Sequence, residues 1–562
     1  MEHRERFGRS VGRMHYNDRS MASRPLVIDY GAFQQPPSPL FRDYLTGAPG
    51  VRPFYGAGRW DLEGLLASAE GAQRQPRPRA VVADALVRQQ EAREAPRAAA
   101  QAARLRDDRA TAVVTGQQAV LFGGPLYVLY KALAAVVLAR ALEERRGAPV
   151  VPVFWVASDD HDFAEIRSVT VLDEGGHIRD LRYTPAHEPV GQPAAKIALD
   201  DTIGVLVDEL RRCLPPGMHR DRAVDLVAAC YRPGATMSDA FARLLSSLLP
   251  DLVVLDPSDP ALKAVARPVL ARELREQSPT SRLAAEAGAK LLAAGYHQQV
   301  PVRAGFLNLF AYMDGERRAL GWEDGTVEVR GLGQRLPVEE VARLLDADPA
   351  RFSPGVLLRP LAQDHMLPTA AYVGGPAEIA YHAQIGPSYA HFGIPRPVLV
   401  PRPSVTLVEP AQMRALEAEE LSLPDLQADP QGVLSRWARQ AYPEVESAFD
   451  RARLAIEKEL GAVEEILAAL DPTLKAAADG ARGRALHQVE GLQEKAVRAL
   501  KKRDQTRADR LRRTRDALMP GGSFQERGLG LVNVLARHGE AVVDEVRQRI
   551  DPWAQGHQVI PL

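Results

Sequence analysis

Two stretches of nearly uninterrupted apolar residues mark the first third of the chain. Thr111–Thr115 is followed by a glycine-rich turn, by a helix expected from Pro125 to Glu144, and by a second apolar stretch, Pro149–Val156. A strand, a helix and a strand in this order are typical of a βαβ unit, and strands without polar alternation are buried on both faces. The pattern therefore predicts a parallel sheet that is covered by helices.

The same alternation of strand and helix returns twice further along the chain. Asp251–Asp256 predicts a strand that precedes a helix from Pro260 to Glu276. Gly355–Leu361 and Pro397–Pro401 predict two more strands, with a helix between them that begins at Pro376. We expect these segments to belong to the same α/β core.

Two segments interrupt this alternation. Short strands are expected at Val169–Leu172 and Ile178–Tyr183, and helices around residues 205–213 and 223–249. In the second segment, apolar and polar residues alternate over 300–330 around a turn at Met313–Glu316, which is typical of a β-hairpin. Both segments are therefore expected to be insertions into the core.

The character of the chain changes at Pro443. From Val445 to Leu474, apolar residues recur at steps of three and four, which is the pattern of a coiled-coil seam. A turn near Asp479-Gly480 is expected to fold a second helix back onto the first. Because the apolar stripe is wider than one returning helix covers, we predict a homodimer through the coiled coil.

Composition narrows the classes of function. The 562 residues carry 72 acidic and 71 basic side chains, so no net field recruits nucleic acid or anionic lipid. The ten Lys and Arg of residues 495–515 lack interleaved aromatic residues, which favours a solvated helix face over a nucleic-acid arm. The longest apolar run, Ala132–Ala139, is shorter than the roughly 20 residues that cross a bilayer. We predict neither a nucleic-acid partner nor a membrane span.

The two cysteines, Cys213 and Cys230, match no zinc-site spacing and are too few for a disulfide framework, which favours a reducing cytoplasm. Neither lies in a polar cluster, so covalent thiol catalysis is disfavoured. The sequence contains no serine-hydrolase elbow, HExxH helix or kinase signature. The Arg-rich residues 1–20 lack the apolar region of a secretory signal, and we expect them to be frayed.

Ligands of open α/β sheets bind beyond the carboxyl ends of the strands, and the loop after Thr111–Thr115 is a first candidate. It matches neither GxGxxG nor a Walker A loop, but Pro125 is expected at the first helical position and the glycines permit close approach of an anion to free N–H groups. A tight turn explains these glycines equally well. The candidate binding residues here are Gly116, Gln117, Gln118, Gly123, Gly124, Tyr127 and Lys131.

The segment after Pro149–Val156 places three carboxylates and an imidazole in consecutive positions. Such crowding of like charges shifts pKa values. We therefore favour a functional site over a run of ordinary surface charges. Only alternate members of the run share a face, so the signal for a bound metal is weak. The candidates are Ser158, Asp159, Asp160, His161 and Asp162.

A third cluster is expected after the predicted strand Gly355–Leu361, where a second Gly-Gly-Pro motif begins a helix. Glu378, Tyr381 and His382 share one face of that helix, although for His382 a role in packing is favoured. After the last strand, Arg402 and Ser404 offer a cation and a hydroxyl to a phosphate or carboxylate. The candidates are Asp364, Gly374, Gly375, Glu378, Tyr381, Gln384, Arg402 and Ser404. By themselves, these clusters indicate an enzyme that handles nucleotides or phosphates.

Three long runs, Thr115–Tyr127, Pro152–Phe163 and Leu358–Tyr381, closely resemble the bacillithiol biosynthesis family of cysteine-adding enzymes. The likeness extends from about Pro39 to the C-terminus and includes Gln525–Arg527. It implies an α/β fold with a Rossmann-like parallel-sheet core related to class I aminoacyl-tRNA synthetases, two connecting-peptide insertions and a C-terminal α-helical coiled-coil domain. The implied divisions are 1–40, 41–166, 167–250 (first insertion), 251–290, 291–350 (second insertion), 351–412, 413–525 (hairpin) and 526–562, the last packing back on the core.

The resemblance also implies a ligase that joins L-cysteine to the amine of glucosaminyl malate, with ATP, accompanied by Mg²⁺, as the co-substrate that activates the cysteine carboxylate. No tightly bound metal is expected. Asp160, His161 and Asp162 are the implied catalytic residues. Asp159 stands where the family commonly has Glu, and neither a full HIGH nor a KMSKS signature is present.

Two other functions remain open. The chain is alternatively a dimeric scaffold that senses a nucleotide through its core and recruits partners through the coiled coil. A metal-dependent hydrolase is the second alternative.

Overall fold

The structure is a computed structural model that describes residues 25–56, 59–302, 305–323, 325–427, 442–503 and 505–562. The expected frayed tail, residues 1–20, lies outside the described residues. The expected hairpin region, 413–525, is described except for residues 428–441 and Asp504.

A lead-in of short helices precedes the sheet. Side-chain caps fix the start of two of them, since the Ser38 hydroxyl accepts a hydrogen bond from Phe41 N (3.4 Å) and the Asp61 carboxylate accepts one from Gly64 N (2.9 Å). The elements are β1 (Leu26–Ile28), α1 (Pro39–Thr46), α2 (Arg52–Tyr55), α3 (Leu62–Arg74), α4 (Arg79–Ala92) and α5 (Pro96–Ala103).

The first half of the core and the first insertion follow in the predicted order. The region expected as one long helix, 223–249, is two helices, because Pro233-Gly234 breaks the chain between them. The elements are β2 (Thr111–Gln117), α6 (Tyr127–Arg146), β3 (Val150–Val156), α7 (Phe163–Ile166), β4 (Ser168–Leu172), β5 (Ile178–Arg182), α8 (Thr202–Cys213), α9 (Arg220–Cys230) and α10 (Met237–Leu248).

The second insertion contains the predicted β-hairpin. Asp314 and Gly315, with φ of 51° and 83°, form its two-residue turn, and both conformations suit an Asp-Gly pair. The elements from the core through this insertion are β6 (Val253–Leu255), α11 (Pro260–Arg275), α12 (Pro279–Ala293), β7 (Phe306–Met313), β8 (Glu316–Glu323), β9 (Thr326–Val329), β10 (Gln334–Pro337), α13 (Val338–Ala347) and β11 (Phe352–Pro354). Strands β7 to β11 form one antiparallel sheet in the order β10-β9-β8-β7-β11.

The predicted strand Gly355–Leu361 is wrong. Arg359 begins a helix there, because Pro360 occupies its first turn, where a missing N–H costs nothing. The strand that joins the sheet is Thr369–Gly374, which the sequence reading did not assign. The elements are α14 (Arg359–Met366), β12 (Thr369–Gly374), α15 (Pro376–Phe392) and β13 (Val398–Pro401).

The core sheet has five parallel strands in the order β13-β12-β2-β3-β6. The longest pairing aligns Thr111 with Val150 and continues to Gln117 opposite Val156. Strands β2, β3 and β12 are buried along almost their whole length, as near-continuous apolar strands require. The predicted parallel α/β core is confirmed.

The start of α6 differs from the prediction. The helix begins at Tyr127, and Pro125 lies before its N-cap residue, Leu126. Pro125 instead forms an isolated antiparallel bridge with Gly530 of the C-terminal segment. The expectation that Pro125 is the first helical residue is therefore wrong, because a tertiary contact holds it in the preceding turn.

The C-terminal part contains the long helical hairpin. Its turn lies at Asp471–Thr473, where Pro472 follows the end of the first helix and the Asp471 carboxylate accepts a hydrogen bond from Thr473 N (2.9 Å). The expected turn at Asp479-Gly480 is wrong, since both residues lie inside the second helix. The elements are β14 (Ser404–Val408), α16 (Pro410–Ala418), α17 (Pro443–Leu470), α18 (Leu474–Arg503), α19 (Gln505–Leu518), α20 (Gln525–Gly528), α21 (Leu531–His538), α22 (Ala541–Arg549) and β15 (His557–Pro561).

The chain after the hairpin returns to the core. Strand β15 lies between β1 and β14 in a three-stranded sheet. The amide of Leu126, at the start of α6, donates to Leu529 O (3.0 Å), and Leu531 N donates to Gly124 O (2.9 Å). The C-terminal segment therefore supports the loop between β2 and α6.

Candidate active site

A cavity of about 440 Å³ opens at the carboxyl ends of β2, β3 and β12, a size and place typical of ligand sites. Four cationic and two acidic side chains line it, which favours a ligand with negative groups. Nine of the candidate residues lie in its lining: Gly116, Gln117, Gln118, Tyr127, Lys131, Gly375, Glu378, Tyr381 and Arg402.

Lys131 and Glu378 form a buried ion pair at the base of this cavity. The two charged groups are 2.5 Å apart, and Lys131 Nζ also donates to Gly116 O (2.6 Å). The Glu378 carboxylate accepts hydrogen bonds from the Tyr372 hydroxyl (2.6 Å) and Gly375 N (2.8 Å). Burial acts to raise the pKa of Glu378, but Lys131 and these donors more than offset it, so the pKa lies below its ordinary value. The pair neutralises itself and holds α15 against α6.

Arg359 is a cation that no carboxylate pairs within the described chain. It begins α14, and its guanidinium donates to the hydroxyls of Tyr381 (2.9 Å) and Tyr372 (3.4 Å) and to Gln363 Oε1 (3.0 Å). Its charge is therefore available to a ligand in the cavity, which it lines together with Trp155. Sequence reasoning missed Arg359, because it placed this residue inside a strand. The Arg-Pro start of a helix was the signal that could have found it.

Arg402, which follows β13, and Arg527 of α20 also line the cavity. Arg402 is only 6% exposed and pairs with Glu526 (2.7 Å), whose other oxygen accepts from Val405 N (2.7 Å). Its charge is thus compensated inside the protein. Arg527 is exposed and has no ion-pair partner among the residues that the structure describes. Sequence reasoning did not name Arg527 as a site residue, although the run Gln525–Arg527, which belongs to the family resemblance, was the signal that could have found it.

The carboxylate run after β3 divides into a buried and an exposed part. Asp159 is buried, and each of its two carboxylate oxygens accepts a hydrogen bond from Lys263 Nζ (2.7 Å each). A third hydrogen bond comes from the Tyr312 hydroxyl (2.5 Å). Burial acts to raise its pKa, but Lys263 and Arg317 lower it below the ordinary value. Asp159 therefore joins the core to the second insertion, and its oxygens are occupied within the protein. Ser158 is likewise buried and donates to Asp256.

Asp160, His161 and Asp162 do not line the cavity but form a rim beside it, next to its lining residues Gln118 and Glu165. Gln118, which lines the cavity, donates from Nε2 to Asp160 Oδ2 (2.7 Å) and to Glu165 Oε2 (2.9 Å). Asp162 is exposed and caps α7 through Glu165 N (3.2 Å). Burial, and then the Arg317 cation, lower the pKa of His161, so its neutral form is favoured at pH 7. The structure thus brings this run next to the cavity through Gln118.

Gly123 and Gly124 do not line the cavity. Gly123 N donates to the Tyr231 hydroxyl (3.3 Å) and Gly124 N to Leu121 O (3.0 Å), so neither amide is free for an anion. The expectation of free N–H groups at this loop is wrong at both positions, because the first insertion and the turn itself use them.

Four further candidates also lie away from the cavity lining. Asp364 is on α14, before β12, and accepts from the Tyr389 hydroxyl (2.5 Å). Gln384 holds the segment at Val300 through two hydrogen bonds, 2.9 and 3.0 Å. Gly374 O accepts from Arg402 N (2.8 Å), and Ser404 bonds His557 (2.8 Å) beside a neighbouring cavity of about 310 Å³. Some were expected at the cavity because of the misplaced strand. For the others, the sequence does not show which side of the helix or strand faces the cavity.

Other features bear on the remaining expectations. Within the described ranges, no group of three or more His, Cys, Asp or Glu side chains is placed to hold a metal ion. No helix in the described part of the chain combines the length and the apolarity needed to cross a bilayer. Cys213 and Cys230 are free thiols.

Comparison with known proteins covers nearly the whole chain. A family model described as "Bacillithiol biosynthesis BshC, N-terminal Rossmann-like domain" matches residues 27–403, and one described as "Bacillithiol biosynthesis BshC, C-terminal coiled-coil domain" matches residues 405–562. A protein of Salinibacter ruber, named "Putative cysteine ligase BshC", is 35% identical over 549 residues, which span 95% of this chain and all of the relative. A protein of the same name from Koribacter versatilis is 36% identical over 511 residues, which span 90% and 94%.

These matches confirm the expected Rossmann-like core and coiled-coil domain, and the names of the relatives agree with the expectation of a ligase. Both family models match, and the two relatives are 35% and 36% identical over at least 90% of this chain. The chain belongs to the bacillithiol biosynthesis BshC family.

Proposed function

We propose that this protein joins L-cysteine through its carboxyl group to the amine of glucosaminyl malate and so forms bacillithiol, with ATP as the activating co-substrate. The observation that carries the proposal is the cationic cavity at the carboxyl ends of β2, β3 and β12. ATP, glucosaminyl malate and cysteine all bear negative groups, and the cavity offers two cations, Arg359 and Arg527, that no carboxylate of the described chain neutralises.

The start of α15 adds to this preference for anions. Ala377 and Glu378 belong to its first turn and line the cavity, and the first N–H groups of a helix have no partner inside the helix. We place an anionic group of the ligand against these amides and Arg359. We assign His161 the role of a hydrogen-bond donor to the ligand. Gln118, which lines the cavity, bonds the neighbouring Asp160.

A carboxylate does not acylate an amine in water without activation. In the proposed first step, a cysteine carboxylate oxygen attacks the α-phosphorus of ATP, and pyrophosphate leaves. The deprotonated amine of glucosaminyl malate then attacks the acyl carbon, the amide bond forms, and AMP leaves. One proton is released to solvent over the reaction.

The direct experiment supplies purified protein with L-cysteine, glucosaminyl malate and ATP, and follows products by mass spectrometry. The proposal expects bacillithiol in amounts that match the nucleotide consumed, with AMP and pyrophosphate as the other products. Formation of ADP and phosphate would show that the carboxylate is activated by phosphorylation and not by adenylation. Absence of bacillithiol with folded protein would contradict the proposal.

Variants at the rim separate an enzyme from a nucleotide-sensing scaffold. Asp160→Asn and His161→Gln should each collapse thiol formation in a host that makes the precursor, which then accumulates. A scaffold would keep thiol output if folding and nucleotide binding persist. Arg335→Met is a matched control, because Arg335 is an exposed residue of β10 whose ion pair among the described residues is with Glu323 (2.6 Å).

We also propose that the protein is a cytoplasmic homodimer and that the coiled coil forms the contact. Val463, Ile466 and Leu470 lie on one face of α17 and are 44%, 69% and 77% exposed. Light scattering of wild type should give the mass of a dimer, and the double variant Ile466→Glu/Leu470→Glu should give a monomer. A wild-type monomer at micromolar concentration would contradict this assembly.

A further inference from the structure

Arg317 of β8 reaches from the second insertion to the loop after β3. Hydrogen bonds and a contact with an aromatic ring fix its orientation. Its backbone N donates to Gly191 O (2.8 Å), its Nε to Ser353 Oγ (2.9 Å), and its Nη2 to Pro354 O (2.9 Å). The guanidinium carbon lies 3.7 Å from the centre of the Phe310 ring. With 8% of its side chain exposed, Arg317 has little freedom to adopt another orientation.

The remaining nitrogen of this guanidinium, Nη1, lies 3.3 Å from Nδ1 of His161. A guanidinium has five N–H donors, no acceptor, and does not lose its charge in proteins. In this contact Nδ1 must therefore be the acceptor. Since a neutral imidazole carries one N–H, the proton resides on Nε2, which has no hydrogen-bond partner in the described ranges.

We infer that Arg317 is a positioning residue that holds His161 as the neutral Nε2–H tautomer, so that this imidazole serves the reaction as a hydrogen-bond donor. The second insertion would thereby set the chemistry of a residue in the core. The assignment of the donor role rests on the proposed function, whereas the tautomer does not depend on it.

The charged groups that face His161 are Arg317 from β8, and Asp160 and Asp162 from its own loop. The two carboxylates favour an imidazolium, but a charged ring would place an N–H on Nδ1 against the guanidinium. The contact of Arg317 with Nδ1 therefore opposes protonation. It equally opposes use of Nε2 as a general base, because that role requires the proton to sit on Nδ1.

The test is the protonation state of each ring nitrogen in the full-length protein, read from long-range ¹H–¹⁵N spectra of protein labelled at its 13 histidines. The His161→Gln variant identifies the His161 signals by their loss. At pH 7 we expect Nδ1 without a proton and Nε2 with one. A wild-type signal for the Nδ1–H tautomer, or for the imidazolium, would overturn the inference without any variant.

Arg317→Met tests the cause. It should give a mixture of tautomers and should move the pKa of His161 up toward the ordinary value of about 6.5. Arg317→Lys should keep the pKa low but lose the single tautomer, because an ammonium lacks the fixed fork of donors. Arg318→Met is the matched control, since Arg318 is the next residue of β8 and pairs with Glu316 (2.8 Å). An unchanged His161 tautomer and pKa in folded Arg317→Met would overturn the inference.

Kinetics then connect the tautomer to the reaction. In Arg317→Met, kcat for ligation should fall by up to about 100-fold, while the Kd for ATP should change far less, because only a donor at the rim is disturbed. If wild type performs no ligation, the proposed function fails while the tautomer result stands. If ligation persists and the Arg317→Met variant keeps the wild-type kcat, the inferred donor role fails alone.

Discussion

The chain contains the motif Gly-Gly-Pro twice, each time after a strand of the same parallel sheet, and the two copies differ in what they do. Gly123 and Gly124 adopt φ of 85° and 68°, and their amides bond within the protein. In the second copy Gly375 has a φ of −73°, and Pro376 occupies the first turn of α15 at the cavity. The first copy supports packing, and the second opens a helix toward a ligand.

The difference follows from what each turn meets in three dimensions. The first copy lies against Leu531 and Leu244, so its helix start is covered. In the second copy, the Glu378 carboxylate accepts a hydrogen bond from Gly375 N (2.8 Å) and pairs with Lys131, while Ala377 and Glu378 line the open cavity. A glycine-rich helix start is thus a candidate anion site only where no other part of the chain covers it.

The largest expected effect concerns the ion pair beside the second copy. Glu378→Gln leaves the buried Lys131 without its counter-charge and should lower the free energy of unfolding by about 3–5 kcal/mol. Urea denaturation at pH 7 measures this loss. A loss below about 1 kcal/mol would show that the pair does not hold α15 in place.

The same variant has a pH signature. The folded pKa of Glu378 is lowered, so its contribution to stability is complete above the unfolded pKa of about 4.3 and is lost as pH falls through the folded value. The difference between wild type and Glu378→Gln should therefore narrow below about pH 4. A gap that stays constant down to pH 3 would contradict the lowered pKa.

Gly124→Ala should be the next most damaging change. An added Cβ would lie 2.9 Å from the Cβ of Val120, and the positive φ disfavours any residue with a side chain. We expect a loss of about 2–4 kcal/mol in unfolding experiments, with the Kd for ATP of the folded fraction unchanged. Weakened ATP binding with full stability would place the ligand at the first copy instead.

Arg359→Met tests the cation that no carboxylate among the described residues pairs. A hydrogen bond to a charged group contributes about 1.5–3 kcal/mol, so the affinity for ATP should fall by about 10- to 100-fold. Calorimetric titration measures the change, and thermal melting checks the fold. Arg335→Met, on the second insertion, should bind like wild type. Equal affinities for Arg359→Met and wild type would remove Arg359 from the site.

Gly375→Ala should have the smallest effect on stability. Its φ suits any residue, and a new Cβ would lie 3.3 Å from Oε2 of Glu378, whose end can shift slightly. We expect less than about 1 kcal/mol of lost stability in the same denaturation assay. A loss as large as that of Gly124→Ala would erase the distinction between the two copies.

The sequence predicted the architecture well where the pattern is local. Apolar runs identified β2, β3, β6 and β13, and the Asp314-Gly315 turn identified the hairpin of the second insertion. It failed at Gly355–Leu361, where apolar residues of a helix start resembled a strand, and at β12, which contains two alanines and a glycine. It also placed the hairpin turn at Asp479-Gly480, although both residues lie inside the second helix and the turn contains Pro472.

The candidate site was predicted in part. Gln118 and Lys131 were found because they follow a correctly predicted strand, whereas Glu378 was found through its Gly-Gly-Pro helix start although the preceding strand was misplaced. Arg359 was missed with the strand that it was assigned to, and Arg527 and Arg317 reach the site from distant segments. Asp364 and Gln384 lie away from the cavity. Asp364 is on a helix where a strand was expected, and Gln384 is on a part of α15 that does not line the cavity. Tertiary contacts set these positions, from Asp364 with Tyr389, 25 residues apart, to Arg317 with His161, 156 residues apart, and no local pattern encodes them.

We propose that a negatively charged ligand binds at the start of α15 beside Arg359. A crystal structure with a non-hydrolysable ATP analogue tests it most directly. We expect phosphate oxygens within hydrogen-bonding distance of the Ala377 and Glu378 amides and of the Arg359 guanidinium. An analogue bound at the Leu121–Pro125 turn, with the cavity at α15 empty, would contradict it.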